Sequence, residues 1–304
     1  MRLGLDIGGT KIEAVIMNEQ GEVVYCQRYA TSKQTYHTFF KQVTQVIHTA
    51  LETISTPVTI GIGIPGTVNR DGLVKNSNIL VLNQHPFARE LEQRLAMPVV
   101  ITNDANCFTL SEAMDGSGKK HSVVFGVILG TGCGGGICID NRLISGPNAC
   151  CGEWGHNGLP RYNPMLDGET VNCHCGQTNC IENFISGSGL ERQYFQRFSK
   201  HATVPQIVRQ IESDDVEACL MWGRYNDQLA RSLAGVVNTL DPDIIVLGGG
   251  ISNIERLYSG LQQRVAQYVF GQECRTPIVR ALHGDSSGVR GAAWSGAQIS
   301  TRTS

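Results

Sequence analysis

The chain has 304 residues, 41% of them hydrophobic, and a formal net charge of -2. That balance, without a block of like charge, argues against a nucleic-acid partner, and no apolar run approaches the length of a membrane span. No charged and apolar leader opens the sequence, so a reducing, cytoplasmic setting is expected, where clustered cysteines favour metal over disulfides.

Strands are expected at about 2–7, 12–17 and 22–30. The first two flank the tight turn Asp6-Ile7-Gly8-Gly9-Thr10-Lys11, which reads as a β-hairpin. A helix follows near 35–54, with Phe39, Val43, Val46, Ile47, Ala50 and Ile54 as its apolar stripe. A buried strand at 58–64 ends at Pro65-Gly66, and another at 98–102 runs into Asn103-Asp104-Ala105-Asn106 and a helix at 105–113. Residues 115–120, Asp-Gly-Ser-Gly-Lys-Lys, read as the crossing between two domains.

The second half repeats the opening plan. Two strands flank Gly130-Thr131-Gly132, and a long helix is expected near 214–240. A buried strand then runs into Gly248-Gly249-Gly250, followed by a helical-looking segment at 254–270. The last helix is expected at about 286–298, before a polar tail, 300–304, expected to be disordered.

Glycine-rich turns let backbone N–H groups approach an anion with no Cβ in the way. Three of them in one chain point to a nucleotide's phosphates. None is a P-loop, and no Gly-x-Gly-x-x-Gly opens a βαβ unit, which disfavours a dinucleotide. Asp6, beside the first turn, would repel phosphate unless a cation lay between them, so it reads as a Mg²⁺ contact or as a carboxylate bonded to turn amides. Asp104 reads either as an N-cap or as a general base for a substrate hydroxyl. Asn103, Glu153, His156 and Glu182 offer hydrogen bonds to a small polyol. Cys173, Cys175 and Cys180 can turn three thiolates toward one point, as structural zinc requires. A fourth ligand comes from His156, with His174 as competitor. The other cysteines read as small apolar side chains.

Together these pieces resemble the ROK family of sugar kinases and repressors. The resemblance rests on Asp6-Ile-Gly-Gly-Thr10, Gly61-Ile-Gly-Ile-Pro65-Gly66, Asn103-Asp104-Ala-Asn106, Gly130-Thr-Gly132, Gly152-Glu153-Trp-Gly-His156, Cys173-His-Cys175 with Cys180-Ile-Glu182, and Gly248-Gly-Gly250. Trp154 and the run His283–Trp294 look most like the bacterial fructokinase/mannokinase branch. N-acetylglucosamine kinases typically carry Phe or Leu at the position of Trp154.

The resemblance implies an α/β, actin-like (ribonuclease-H-like) ATPase fold of two α/β domains with a cleft between them. The first would span 1–116, joined by a C-terminal helix at about 286–304, and the second 117–285. It implies ATP, Mg²⁺, a structural Zn²⁺ and a homodimer. Transfer would be to a hexose 6-hydroxyl, with Asp104 as base and Gly66, Asn103, Glu153, His156 and Glu182 on the sugar. Asp6, Gly8, Gly9, Thr10, Lys11, Gly130, Thr131, Gly132, Gly248, Gly249 and Gly250 would serve the nucleotide. His156 would serve sugar and zinc through different ring nitrogens. Fructose, and with it mannose, is the expected substrate. The alternatives are an N-acetylglucosamine kinase, a glucokinase and, with no helix-turn-helix before the first strand to support it, a sugar-responsive repressor. One departure is Asn179, where the family usually has Gly. Asn tolerates left-handed backbone angles, so the turn is expected to survive.

Overall fold

A computed structural model describes residues 1–298. The expected tail at 300–304, and the end of the expected terminal helix, lie outside the described residues. In chain order the opening elements are β1 (Arg2–Ile7), β2 (Lys11–Met17), β3 (Val23–Ala30), α1 (Tyr36–Leu51), β4 (Thr59–Ile64), β5 (Thr67–Val68), β6 (Val74–Lys75), α2 (Phe87–Leu95), β7 (Val99–Asn103) and α3 (Asp104–Met114). There follow β8 (Val123–Leu129), β9 (Cys133–Ile139), β10 (Arg142–Leu143), α4 (Pro164–Asp167), α5 (Glu182–Ile185), α6 (Gly187–Phe198), α7 (Val204–Glu212) and α8 (Val216–Leu240). The chain closes with β11 (Ile244–Gly248), α9 (Leu261–Ala266), β12 (Ile278–Arg280) and α10 (Ser287–Gly296).

The chain divides into two compact units. The first holds Met1–Lys120, Gly136–Cys151 and the chain from Leu282 on; the second holds His121–Gly135 and Gly152–Ala281. The sequence reading put the boundary at 116/117 and gave the whole of 117–285 to the second domain. Residues 117–120, the hairpin end at 136–151 and residues 282–285 fall instead in the first unit, with the expected return of the C-terminal helix.

In the first unit the sheet order is β3-β2-β1-β4-β7. β1 pairs antiparallel with β2 and parallel with β4, and β4 is parallel to β7. Parallel pairing brings the C-terminal ends of β1, β4 and β7 to one edge, so Asp6, Ile64 and Asn103 end their strands on the same side. The α1 stripe Phe39, Val43, Val46, Ile47 and Ala50 is buried with Leu3, Leu5, Ile60 and Ile62 in one core. α10 packs on β1, β4 and α3 with glycines at its closest approaches: a Cβ on Gly4, Gly61 or Gly291 would overlap the facing backbone.

Two carboxylates tie the chain's exit from this unit to its return. Glu112, fully buried, accepts hydrogen bonds from the Ser117, Leu282 and His283 amides and from the Ser287 hydroxyl at 2.8–3.2 Å. Asp115 bonds His283 Nε2 at 2.9 Å and Trp294 Nε1 at 3.1 Å, and pairs with Arg290. Burial pushes the Asp115 carboxyl up, but His283 and Arg290 outweigh it and hold it below the usual range. The run His283–Trp294, read from sequence as a branch signature, is thus a structural clamp.

The second sheet has the order β10-β9-β8-β11-β12, with β11 parallel to both β8 and β12. The helix expected at 254–270 is broken. Ile254 is extended between two short 3-10 turns, Gly250–Asn253 and Glu255–Leu257, and Gly260, with a left-handed φ of 69°, stands just before α9.

Candidate active site

In the first unit, β1 delivers Asp6 to the sheet edge. Its neighbours Gly63 and Gly288 make the space: a Cβ at Gly288 would stand 2.9 Å from Asp6 Oδ2, and one at Gly63 3.5 Å from Oδ1. Burial, then the charges of Asp104 and Glu13, push the Asp6 carboxyl up to about 6, with Lys11 opposing. A buried carboxyl held up by a neighbouring carboxylate at a strand edge fits a bound divalent cation, which would supply the missing countercharge. The hairpin after Asp6 closes through Gly8 N–H to Lys11 O at 2.8 Å. Gly9 and Thr10 form its tip. Lys11 turns along β2 toward Glu13, 3.6 Å away, and Glu13 also pairs with Arg28.

At the end of β7 the capping reading needs correction. Asn103, not Asp104, is the N-cap of α3: its Oδ1 accepts from the Ala105 and Asn106 amides at 2.9 and 3.3 Å. Its Nδ2 donates to Gly66 O at 3.0 Å. Asp104 is the first helical residue and exposed, in the half-turn where the helix dipole favours a negative charge. Gly66 has φ 93°, and a Cβ there would come within 2.6 Å of Lys75 O, so only glycine fits. Asn103 therefore holds Gly66 and Asp104 in one fixed arrangement.

In the second unit, the Gly130–Gly132 turn closes through Gly130 N–H to Gly132 O at 3.0 Å. The start of α6 is tied to it: Gly187 N–H reaches Gly130 O, and Ser188 Oγ reaches Thr131 O, at 2.7 and 2.9 Å. Gly249, with φ 81°, lies against the end of β8, where a Cβ would be 2.5 Å from Leu129 O. Parallel pairing of Gly248 with Ile128 sets the Gly248–Gly250 turn beside the Gly130 turn. Two anion-type turns thus share one sheet edge within this unit.

Glu153 is exposed before a single 3-10 turn, Trp154–His156. Trp154 is only 6% exposed. Its indole N–H donates to Gly134 O at 3.1 Å, and its ring meets Phe125 edge-on with centroids 5.6 Å apart. A Cβ on Gly135 would stand 2.6 Å from the indole. Trp154 is a core anchor that pins this loop to β9, with its polar atom already used.

Glu182 opens α5. Its Oε2 accepts from the Cys133 amide at 2.9 Å, and Oε1 lies 3.5 Å from His174 Nδ1. Gly132 makes room for it, since a Cβ there would be 2.7 Å from Oε2. Sequence reasoning missed this tie between the second glycine turn and Glu182; the glycine was the only signal.

The donor atoms of His156, Cys173, Cys175 and Cys180 lie within 4.8 Å of one another. Cys173 Sγ is 3.6 Å from His156 Nδ1, and Cys175 Sγ 3.6 Å from Cys180 Sγ. A tetrahedral zinc shell puts such donors roughly 3.5–3.8 Å apart, so the residues fit that ion. His156 faces the thiols with Nδ1, leaving Nε2 for another partner. His174 Nδ1 is also near, 3.8 Å from Cys173 Sγ, but it turns to Glu182. Gly176 (φ 90°) and Asn179 (φ 56°) make the bends, and Asn179 Oδ1 also accepts from Val171 N–H at 2.9 Å.

With this geometry in hand, the comparisons are specific. The model of the ROK family matches residues 2–298. The chain belongs to the ROK family. It is 38% identical to an N-acetyl-D-glucosamine kinase of Photobacterium profundum over 298 residues, covering 97% of this chain and 98% of the relative. It is 39% identical to an N-acetylgalactosamine kinase of a Shewanella species, with 96% of each covered. Among solved structures, a ROK hexokinase from Thermus thermophilus superimposes with a TM-score of 0.87 at 27% identity, covering 99% of both chains. The fold is therefore the actin-like ATPase fold of the ROK sugar kinases, and the chain is a sugar kinase. The branch expectation is corrected: these curated relatives are N-acetylhexosamine kinases, not fructokinases or mannokinases. The Trp154 cue misled because that residue is part of the packing.

Proposed function

We propose that this protein is an ATP-dependent N-acetylhexosamine kinase, with N-acetylglucosamine as the substrate phosphorylated at its 6-hydroxyl. The observation that carries the reading is end-to-end similarity to kinases of acetamido sugars at 38–39% identity. The Trp154 indole, buried against Phe125 with its N–H bonded to Gly134, is taken up by packing, which supports reading it as an anchor and not as a mark of sugar choice. N-acetylgalactosamine is the second reading, supported by the Shewanella relative; the two sugars differ at one hydroxyl.

In this reading Asp104 accepts the proton of the 6-hydroxyl as its oxygen forms a bond to the γ-phosphorus. The bond to the β,γ-bridging oxygen breaks and ADP leaves. Gly66, Asn103, Glu153, His156 and Glu182 orient the sugar, and the three glycine turns with Asp6 serve the nucleotide. Catalysis is then positioning and electrostatics. Bound magnesium would add countercharge to the triphosphate. Zinc held by His156, Cys173, Cys175 and Cys180 would stiffen the loop that carries Glu182, a structural role. The family resemblance adds a homodimer, which sedimentation equilibrium tests. The reaction itself is tested by phosphorus NMR of the product formed with ATP and N-acetylglucosamine. Stoichiometric 6-phosphate and ADP are expected; a phosphate on the anomeric oxygen, or none, contradicts the reading.

A further inference from the structure

The first glycine turn needs a cation for phosphate, and the lysine in its motif is committed elsewhere. Lys11 and Glu13 lie two residues apart on β2 and so on one face, with their charged atoms 3.6 Å apart. Arg28 stands opposite Glu13 on β3 and closes the same cluster. A different ammonium approaches the turn itself. A methyl placed on Gly9 would be 4.0 Å from Lys33 Nζ and 4.0 Å from Asn78 Oδ1. Lys33 stands in no ion pair among the described residues.

The segment that presents Lys33 is fixed on two sides. Thr31 N–H donates to Thr10 O at 3.0 Å, and its hydroxyl donates to Gly8 O at 2.8 Å. From α1, Gln42 accepts from Ser32 N–H at 2.8 Å and donates to Ala30 O at 2.7 Å. So the chain leaving β3 is stitched to the turn and to α1 just before Lys33. An exposed lysine on a short fixed stem, over a glycine with no side chain, is arranged to meet an anion lying on that turn. The turn follows Asp6, and the parallel pairing of β1 with β4 and of β4 with β7 ends β1 and β7 on one side of the sheet, where Asp104 opens α3. A phosphate there is on the side of the proposed base, which makes it the one transferred.

We propose that Lys33 is a catalytic residue that binds the terminal phosphate of ATP. This rests on the kinase reading above. The test compares the full-length wild type with Lys33→Ala and Lys33→Arg. Alanine should lower kcat/KM for ATP by about 10- to 100-fold, the size of one hydrogen bond to a charged group. Arginine should restore most of it. KM for the sugar and the melting temperature should stay near wild type, which a merely structural role would not produce. Binding of a non-hydrolysable ATP analogue should weaken in the alanine variant, while ADP binding is kept. Full activity in Lys33→Ala, or equal weakening of ADP, overturns the proposal. A wild type that binds neither ATP nor the analogue defeats the kinase reading instead, so the two failures are distinct.

Discussion

Asp104 and Asn103 are adjacent, but their tasks separate cleanly. Asn103 spends its side chain on the α3 cap and on Gly66, while Asp104, the first helical residue, accepts from the neighbouring Ala105 amide at 2.9 Å and stays exposed. Asp104→Asn should fold, bind ATP and sugar, and lose roughly 10²–10⁴-fold in kcat, the usual worth of a general base. Steady-state kinetics with binding controls checks this. Asn103→Ala should instead cost about 1–2 kcal/mol of stability, read by urea unfolding, because a cap and the Gly66 tie go together. Asp6 gives a pH signature. Its folded value of about 6 lies above its ordinary 3.8, so the native state holds the proton more tightly. The penalty is absent below about 4, grows through 6 and is complete above it. Asp6→Asn should therefore be more stable than wild type at pH 7 in metal-free buffer and equal to it near pH 4, by urea unfolding at both values. The strand-end positions of these residues were legible from the apolar runs that precede them. The cap assignment was not, since Asn and Asp are equally good caps and only the backbone decides.

At the scale of elements, the two loops of the second unit behave differently. The cysteine loop was legible because its spacing leaves few alternatives, and four donors do converge. Protein purified without added metal should carry about one zinc per chain by elemental analysis. Cys175→Ser should lower both metal content and melting temperature, with sugar affinity falling alongside because Glu182 follows the loop. The Trp154 loop was misread, since its tryptophan was taken as a mark of the fructokinase/mannokinase branch and is instead a packing anchor. Its burial depends on Phe125 and Gly135, residues far from it in the chain. Trp154→Phe should cost about 1–2 kcal/mol through the lost hydrogen bond and packing, while leaving the order of sugar preference unchanged. The helices α2, α6 and α7 went unread for a related reason. α2 and α7 carry a marked apolar period but run only nine residues each, and α6 opens on Gly-Ser-Gly, so its period is weak until packing supplies the rest.

For the whole molecule, the repeat of strand, glycine turn and strand was visible in the sequence, and the fold followed from the family resemblance; the parallel pairing of β1, β4 and β7 was not visible. Nor was the path of the chain. Two-unit division turns on Glu112 and Asp115, whose partners at 282–294 are about 170 residues away, beyond any local pattern. The substrate was the least legible property, because hexoses differ by single groups and the cue taken for specificity was packing. The central claim is that this sugar kinase acts on an acetamido sugar. The most direct measurement is kcat/KM for N-acetylglucosamine, N-acetylgalactosamine, glucose, mannose and fructose under one set of conditions with ATP. N-acetylglucosamine is predicted to exceed fructose and mannose by tenfold or more, about 1.4 kcal/mol in transition-state binding. A preference for fructose or mannose of that size would contradict it.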